Sequence, residues 1–357
     1  MSVYIHIPFC QNICSYCDFC KFYYNEKWVD NYLSALEKEI KSNYKGEVVE
    51  TIYIGGGTPT VLNINQLERL LNLTNLFNKN KIEFTVETNI DLSLEKIKLL
   101  NKYGVNRISI GVQTVNPKYL KFLNRNHTKE AVVNLINLLK KIDFNINVDL
   151  IYAIPGETLE ELNKDLDFIL SLDVNHISTY SLIIEPHTKL YIDNVSNIDE
   201  DLDYEMYKLI NKKLENYHHY EISNFAKKNY ESKHNLVYWN NLNYYGFGLG
   251  ASGYIDNIRY DNTRSYNNYI NGKYLLEKHE LDLNEIISNE FILGLRKIDG
   301  IDVNNFYNKY NIDITSIDIV KKLLKGKQLI LTDKLKINPK YIYISNTILV
   351  NFIDLKI

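Results

Sequence analysis

The sequence predicts an α/β protein: a partial (β/α)6 barrel followed by a smaller C-terminal α+β domain with a winged-helix-like pattern. Three observations predict it. Strand-like and helix-period runs alternate six times before about residue 190. Serial β/α units require a parallel sheet with right-handed crossovers, which six units curl into most of a barrel. From about residue 283 the order changes to helices followed by a hairpin.

Taken in order, Val3–Ile7 reads as a first strand, running into a cysteine-rich loop. A helix over Glu26–Tyr44 follows from Trp28, Tyr32, Leu33, Leu36 and Ile40 at helical spacing. Thr51–Ile54 is a strand ending at Gly55-Gly56-Gly57, and Ile64–Phe77 a Leu-rich helix. Ile82–Glu87 is a strand, and Leu92–Tyr103 a helix stopped by Gly104. Arg107–Val112, Asn147–Tyr152 and His176–Ile184 complete the six strands. Between them, Thr128–Ile142 is a helix with an apolar face, and Thr158–Leu172 one with Thr158 and Glu161 at capping-box spacing. Ile198–Tyr217 predicts a further helix and Tyr220–Phe225 a strand. Residues 226 to about 273 are rich in Asn, Tyr and Gly and predict irregular structure. Helices near Ile286–Leu295, Asn304–Tyr310 and Ile317–Gly326 then precede strands near Leu335–Ile337 and Tyr341–Ile344. The expected division is 1–217, 218–282 and 283–357.

Composition narrows the function. With 45% hydrophobic and 24% charged residues the 357-residue chain is globular, and a net charge of −3 disfavours nucleic acid as the main partner. Lys321–Lys327 is the one dense basic run in the terminal helices. Met1–Phe9 lacks the basic start and apolar length of a signal peptide, and no apolar run reaches membrane-span length. A cytoplasmic location is the expectation.

All four cysteines fall in one stretch: Cys10, Cys14, Cys17 and Cys20. A chain this long buries a core without disulfide staples, and zinc usually draws two separated cysteine pairs. Three clustered thiolates suit an iron–sulfur cluster with one iron left open. Other unusual residues recur at expected strand ends: Gly55–Thr60, Glu87, Gln113 and Asp149, with Arg125 beyond the fourth strand. Strand C-termini carry the sites of α/β barrels, so this rim reads as a binding site. The glycine run is no P-loop, because the G-K-[ST] ending is absent.

Tyr4-Ile-His-Ile-Pro-Phe-Cys10, Cys14 and Cys17, followed by Gly55–Thr60, resemble the radical S-adenosylmethionine (SAM) superfamily. More narrowly they resemble its oxygen-independent coproporphyrinogen III oxidase-like branch. The resemblance implies a [4Fe–4S] cluster on Cys10, Cys14 and Cys17, with SAM on the open iron. It implies SAM contacts from Tyr4, Gly56, Gly57, Thr58, Glu87, Gln113, Arg125 and Asp149, and adenine packing by Phe19. The chemistry agrees: acceptors suit ribose hydroxyls and an ammonium, and arginine suits a carboxylate.

The branch holds oxidases and heme chaperones. The oxidases carry C-x2-C-x-C, whereas here Cys17-Asp18-Phe19 places Phe19 at the last position. Cys20 is displaced by one residue and reads as a free thiol. His234-Asn235-Leu236-Val237-Tyr238-Trp239 resembles the chaperones' H-N-x-x-Y-W heme signature, and Tyr180–Pro186 and Leu123–His127 also resemble the chaperone group. The resemblance thus implies heme contact at His234, Tyr238 and Trp239, an imidazole for iron and aromatics for the macrocycle. It also implies delivery to heme proteins, respiratory membrane enzymes among them, with transient membrane association; a homodimer is allowed. The alternative is oxidative decarboxylation of coproporphyrinogen III. Two departures stand out: Ser252 replaces the histidine of a G-A-H-S segment, and Ala153 replaces a usual glycine.

Overall fold

A computed structural model describes residues 1–356. Six parallel strands run as expected: β1 (Ser2–Ile7), β2 (Val48–Gly56), β3 (Asn78–Thr88), β4 (Arg107–Gln113), β5 (Asn145–Tyr152) and β6 (His176–Ser181). They alternate with α1 (Glu26–Asn43), α2 (Ile64–Leu73), α3 (Leu94–Lys102), α4 (Lys129–Lys140) and α5 (Leu159–Ser171), and α6 (Glu200–Lys213) follows β6. Each of these helices has a side-chain cap at its start; Thr158 and Glu161 form the capping box at α5.

Strand alternation sorts the two faces. Val3, Ile5, Ile7, Ile52, Ile54, Phe84, Val86, Ile108, Ile110, Val148, Leu150 and Ile177 join the helices in one buried core. Such burial stabilises by about 1.5–3 kcal/mol per large side chain. The intervening residues are buried and polar: His6, Thr51, Thr85, Arg107, Ser109, Asn147, His176 and Ser178. Several of them bond across strands. Asn147 Nδ2 donates to Ser109 Oγ (2.8 Å), His176 Nδ1 meets Asn147 Oδ1 (2.6 Å), and His176 Nε2 meets Tyr220 Oη (2.8 Å). Around Asn147 the inner face is therefore a hydrogen-bonded network, while Thr85 Oγ1 and Arg107 Nε stay unpartnered.

The sheet is larger than expected and remains open. Residues 226–273 are not irregular: they supply β9 (Tyr244–Phe247), β10 (Ser252–Ile255) and β11 (Ile258–Asn262), after β7 (His218–Glu221), β8 (Asn224–Ala226) and α7 (Lys233–Trp239). Helix α8 (Tyr266–Ile270) and β12 (Leu275–Glu280) follow. The twelve strands run in the order β12-β11-β10-β9-β1-β2-β3-β4-β5-β6-β8-β7. Strand β9 pairs parallel with β1 as a seventh parallel strand. These strands were hidden by their brevity and by Gly246 and Gly253; the β10–β11 hairpin turns on Asp256-Asn257, both at positive φ, as a two-residue turn demands. Tyr220–Phe225 divides into β7 and β8, antiparallel around a tight turn.

The terminal region packs around its own core. Its order is α9 (Leu283–Gly294), β13 (Ile301–Asp302), α10 (Val303–Tyr310), α11 (Asp318–Lys325), β14 (Leu329–Leu331) and β15 (Lys334–Ile337), with a three-stranded antiparallel sheet. This is a winged-helix arrangement, one strand earlier than expected. Tyr341–Ile344 is not a strand: Pro339 opens a 3-10 turn there, and α12 (Ser345–Leu349) follows.

Ala153 lies at φ +60°, in the left-handed region that favours glycine. Ala153→Gly is expected to raise stability by about 0.5–1 kcal/mol, read from the denaturation midpoint. A loss would show that the local entropy of glycine outweighs the relieved strain.

Candidate functional site

The cysteine loop is tied at both ends. Phe9–Cys10 pairs in parallel with Phe22–Tyr23 where the chain leaves β1 and returns. Ser15 N–H donates to Leu123 O (3.2 Å), and Asn124 Nδ2 to Ile13 O (2.8 Å). The Leu123–Arg125 segment therefore clamps the loop. Arg125 itself donates to Cys14 Sγ (3.3 Å), to Asn89 Oδ1 (3.3 Å) and to Gly111 O.

The glycine run closes on this loop. Gly57 donates to Ile7 O and Thr58 to Phe9 O, each at 2.8 Å. A Cβ on Gly57 would stand 2.9 Å from Cys10 Sγ and 2.7 Å from Phe9 O. Gly56 has φ +109°, and a Cβ there would strike the His6 ring at 2.5 Å. Thr58 Oγ1 lies 3.9 Å from Cys10 Sγ and accepts from Asn89 Nδ2 (3.2 Å). Asn89 thus bridges the glycine run to Arg125. Its sequence signal was its place two residues beyond Glu87.

Glu87 accepts from Tyr53 Oη (2.7 Å) and Gly56 N–H (3.0 Å). Burial, then the Asp149 carboxylate, push its pKa up to about 7 despite these bonds. Asp149 is held by Asn147 Nδ2 (2.8 Å), and burial raises its pKa. Buried Arg107, between these acids and the histidines electrostatically, was not singled out in the sequence; its polar position within an apolar strand was the available sign. Gln113 is buried at φ +67° with Oε1 unpartnered, and its amide and the Arg125 guanidinium both come up to Gly111. Backbone strain of this kind concentrates at functional positions.

Beside the loop lies a cavity of about 440 Å3, walled by Tyr4, His6, Phe19, Cys20, Tyr238 and Trp239 among others. Tyr4 Oη donates to His6 Nδ1 (3.0 Å), while His6 Nε2 donates to Cys20 O (2.8 Å). Phe19 is 59% exposed. Tyr238 and Trp239 reach the cavity from α7, but His234 does not: it is 1% exposed and lies behind Tyr238. Thr51 Oγ1 gives its proton to Ser2 Oγ (2.8 Å), so it accepts from His234 Nδ1 (2.7 Å). Nε2 then carries the lone pair, facing Tyr238 Oη at 2.8 Å. Burial drives the His234 pKa down to about 3, keeping the imidazole neutral. Ser252, the other departure, lines the same cavity and donates to Asp261.

A family model for the radical SAM superfamily matches residues 4–169. The chain is 42% identical to the heme chaperone HemW of Lactococcus lactis subsp. lactis, over 93% of each chain. The corresponding HemW of Bacillus subtilis is 43% identical, over 87% of this chain and 86% of its own. The chain belongs to the HemW family of radical SAM proteins. The solved coproporphyrinogen III oxidase HemN of Escherichia coli shares the fold at a TM-score of 0.87 and 23% identity, covering 98% of this chain and 89% of its own.

Radical SAM membership implies a [4Fe–4S] cluster and SAM, and the residues present fit both. Among the described residues no three His, Cys, Asp or Glu side chains converge on a single-ion position. Cys10, Cys14 and Cys17 share one clamped loop, the donor set by which a cubane takes one thiolate on each of three irons. Cys10, Cys14 and Cys17 are free, and burial lifts the Cys10 thiol to about 12, where only a bound cation would keep it a thiolate. No helix among the described residues is long and apolar enough to cross a membrane.

Proposed function

We propose that this protein binds heme in the cavity beside its cluster loop and delivers it to heme-requiring proteins, membrane respiratory enzymes among the recipients. The observation that carries the reading is that the H-N-x-x-Y-W segment folds as α7 and places Tyr238 and Trp239 in one cavity with Phe19 and Cys20 of the cysteine loop. Family membership supports it. Cys10, Cys14 and Cys17 would hold the cluster, and Tyr4, Gly56, Gly57, Thr58, Glu87, Gln113, Arg125 and Asp149 the SAM, with Phe19 between SAM and cargo. A reduced cluster can supply an electron to the SAM sulfonium. Residues 218–282 act as the cargo-binding extension of the 1–217 barrel, beside the 283–357 domain.

His234 is the iron ligand in this reading, reached when Tyr238 turns away. Its neutral ring with Nδ1–H fixed on Thr51 puts the lone pair on Nε2, available to coordinate once Tyr238 Oη leaves it, which is how metal-ligating histidines are usually held.

Anaerobic heme titration of the cluster-reconstituted protein, followed by visible absorption, tests this. His234→Ala should lose the axial-ligand signature and about tenfold in affinity, the cost of a lost iron contact. Tyr238→Phe should tighten binding about fivefold, because the hydrogen bond of about 1 kcal/mol that occupies Nε2 is removed. An unchanged spectrum in His234→Ala would dismiss His234 as ligand. Appreciable anaerobic conversion of coproporphyrinogen III to protoporphyrinogen would restore the oxidase reading.

A further inference from the structure

The chain uses arginine sparingly: six of its 41 basic residues. Arg69 is engaged on the surface between α1 and α2, by Asp30 O and Ser34. The other five surround the two sites. Arg107 and Arg125 belong to the barrel mouth, and Arg259, Arg264 and Arg296 gather around the cavity. A lysine-rich chain that places arginine there points to the planar guanidinium fork, not to charge alone.

Arg259 and Arg264 both line the cavity. Arg259 lies half-buried on β11, its guanidinium 5.2 Å from the Tyr254 ring centroid, and its Nε is buried without a partner. Among the described residues neither arginine forms an ion pair or donates a side-chain hydrogen bond to the protein. No carboxylate pairs with either: Asp261, two residues along β11 from Arg259, accepts from Ser252, and Asp18 lines the cavity from the cysteine loop. The remaining wall is largely apolar and aromatic: Leu242, Tyr244, Ala251, Tyr254 and Leu293, with Tyr238 and Trp239. Arg296 stacks on Trp239 at 5.0 Å and ties this wall to the terminal domain. Arg264 stands exposed at the cavity rim, whereas the half-buried Arg259 guanidinium, its Nε unpartnered, is costly to leave without a carboxylate.

The matching ligand is flat and apolar, with carboxylates on one edge. Resting on the heme reading above, we propose that Arg259 and Arg264 hold the two propionates of heme. Both come from one short stretch, β11 and the loop just after it, so the charge is confined to one wall and the propionate edge is fixed there. The aromatic residues of α7 then cover the macrocycle, and its orientation toward His234 is set by the carboxylates.

The test titrates the full, cluster-loaded protein anaerobically with ferric heme and with its dimethyl ester. The wild type should bind heme at least about tenfold more tightly than the ester, a preference that shrinks with salt. Arg259→Gln and Arg264→Gln should each lose about tenfold for heme and almost nothing for the ester, so that ester binding reports an intact fold. Equal wild-type affinity for heme and ester overturns the propionate clamp while leaving the heme reading intact. A preference for heme that both variants retain also overturns it. No saturable binding of either probe by the wild type removes the heme reading and the clamp with it. Should a variant fail to fold, the wild-type heme–ester comparison and its salt dependence still decide.

Discussion

Gly57→Ala is expected to lose most of its cluster and about 2 kcal/mol of stability. The added methyl would stand 2.7 Å from Phe9 O, 2.9 Å from Ile7 O and 2.9 Å from Cys10 Sγ. Two of these neighbours are backbone, pinned by the bonds from Gly57 and Thr58 that join the glycine run to the cysteine loop. Relief must come from moving the loop, which carries Cys10 away from Cys14 and Cys17. Iron and sulfide per chain after anaerobic reconstitution measure the first effect, and a denaturant midpoint the second. Full cluster content in the variant would show that the loop moves freely, against its clamping by Leu123–Arg125.

The second large effect is expected at Glu39, on α1. Its carboxyl is buried and accepts from Gly248 N–H (2.9 Å), Asn262 Nδ2 (2.6 Å) and Tyr269 Oη. Tyr32 completes the knot, donating to His6 O (2.6 Å) and accepting from Leu249 N–H (3.1 Å). These bonds join the end of β1 to the segment that leads into the cavity wall at Gly250–Ser252. Glu39→Ala strands three buried donors and should cost about 4 kcal/mol, read from the denaturation midpoint.

Glu39→Gln separates charge from shape. Burial raises the Glu39 pKa to about 7 against a usual 4.5. The folded state therefore holds a proton that the unfolded state has released, and the stability this gives is full below about 4.5 and lost as pH rises through about 7. Glutamine cannot titrate, so the stability difference between wild type and variant should change across that window and be flat below it. A constant difference from pH 4 to 8 would mean that folding leaves the Glu39 pKa unshifted.

The cluster loop and the barrel were legible early because both are local signals. Cysteine spacing survives any tertiary arrangement, and Thr158 with Glu161 cap their helix through neighbours three residues apart. Hydrophobic alternation identified β1 to β6, since each strand's outer face must be apolar to meet its helices. The same alternation hid the polar inner face, because Ser109, Asn147 and His176 make sense only as partners across different strands.

The residues alone carried the chemistry available: three thiols on one loop, a glycine run, acids at strand ends, and an H-N-x-x-Y-W segment whose resemblance pointed to heme. The tertiary structure alone decided that Tyr244–Phe247 would lie parallel to β1, although the two are separated by more than half the chain. It alone set His234 behind Tyr238 and brought Arg259, Arg264 and Arg296 around one cavity. The physical reason is that periodicity encodes which face of an element is buried, whereas its partner is chosen by packing between residues that are distant in the chain.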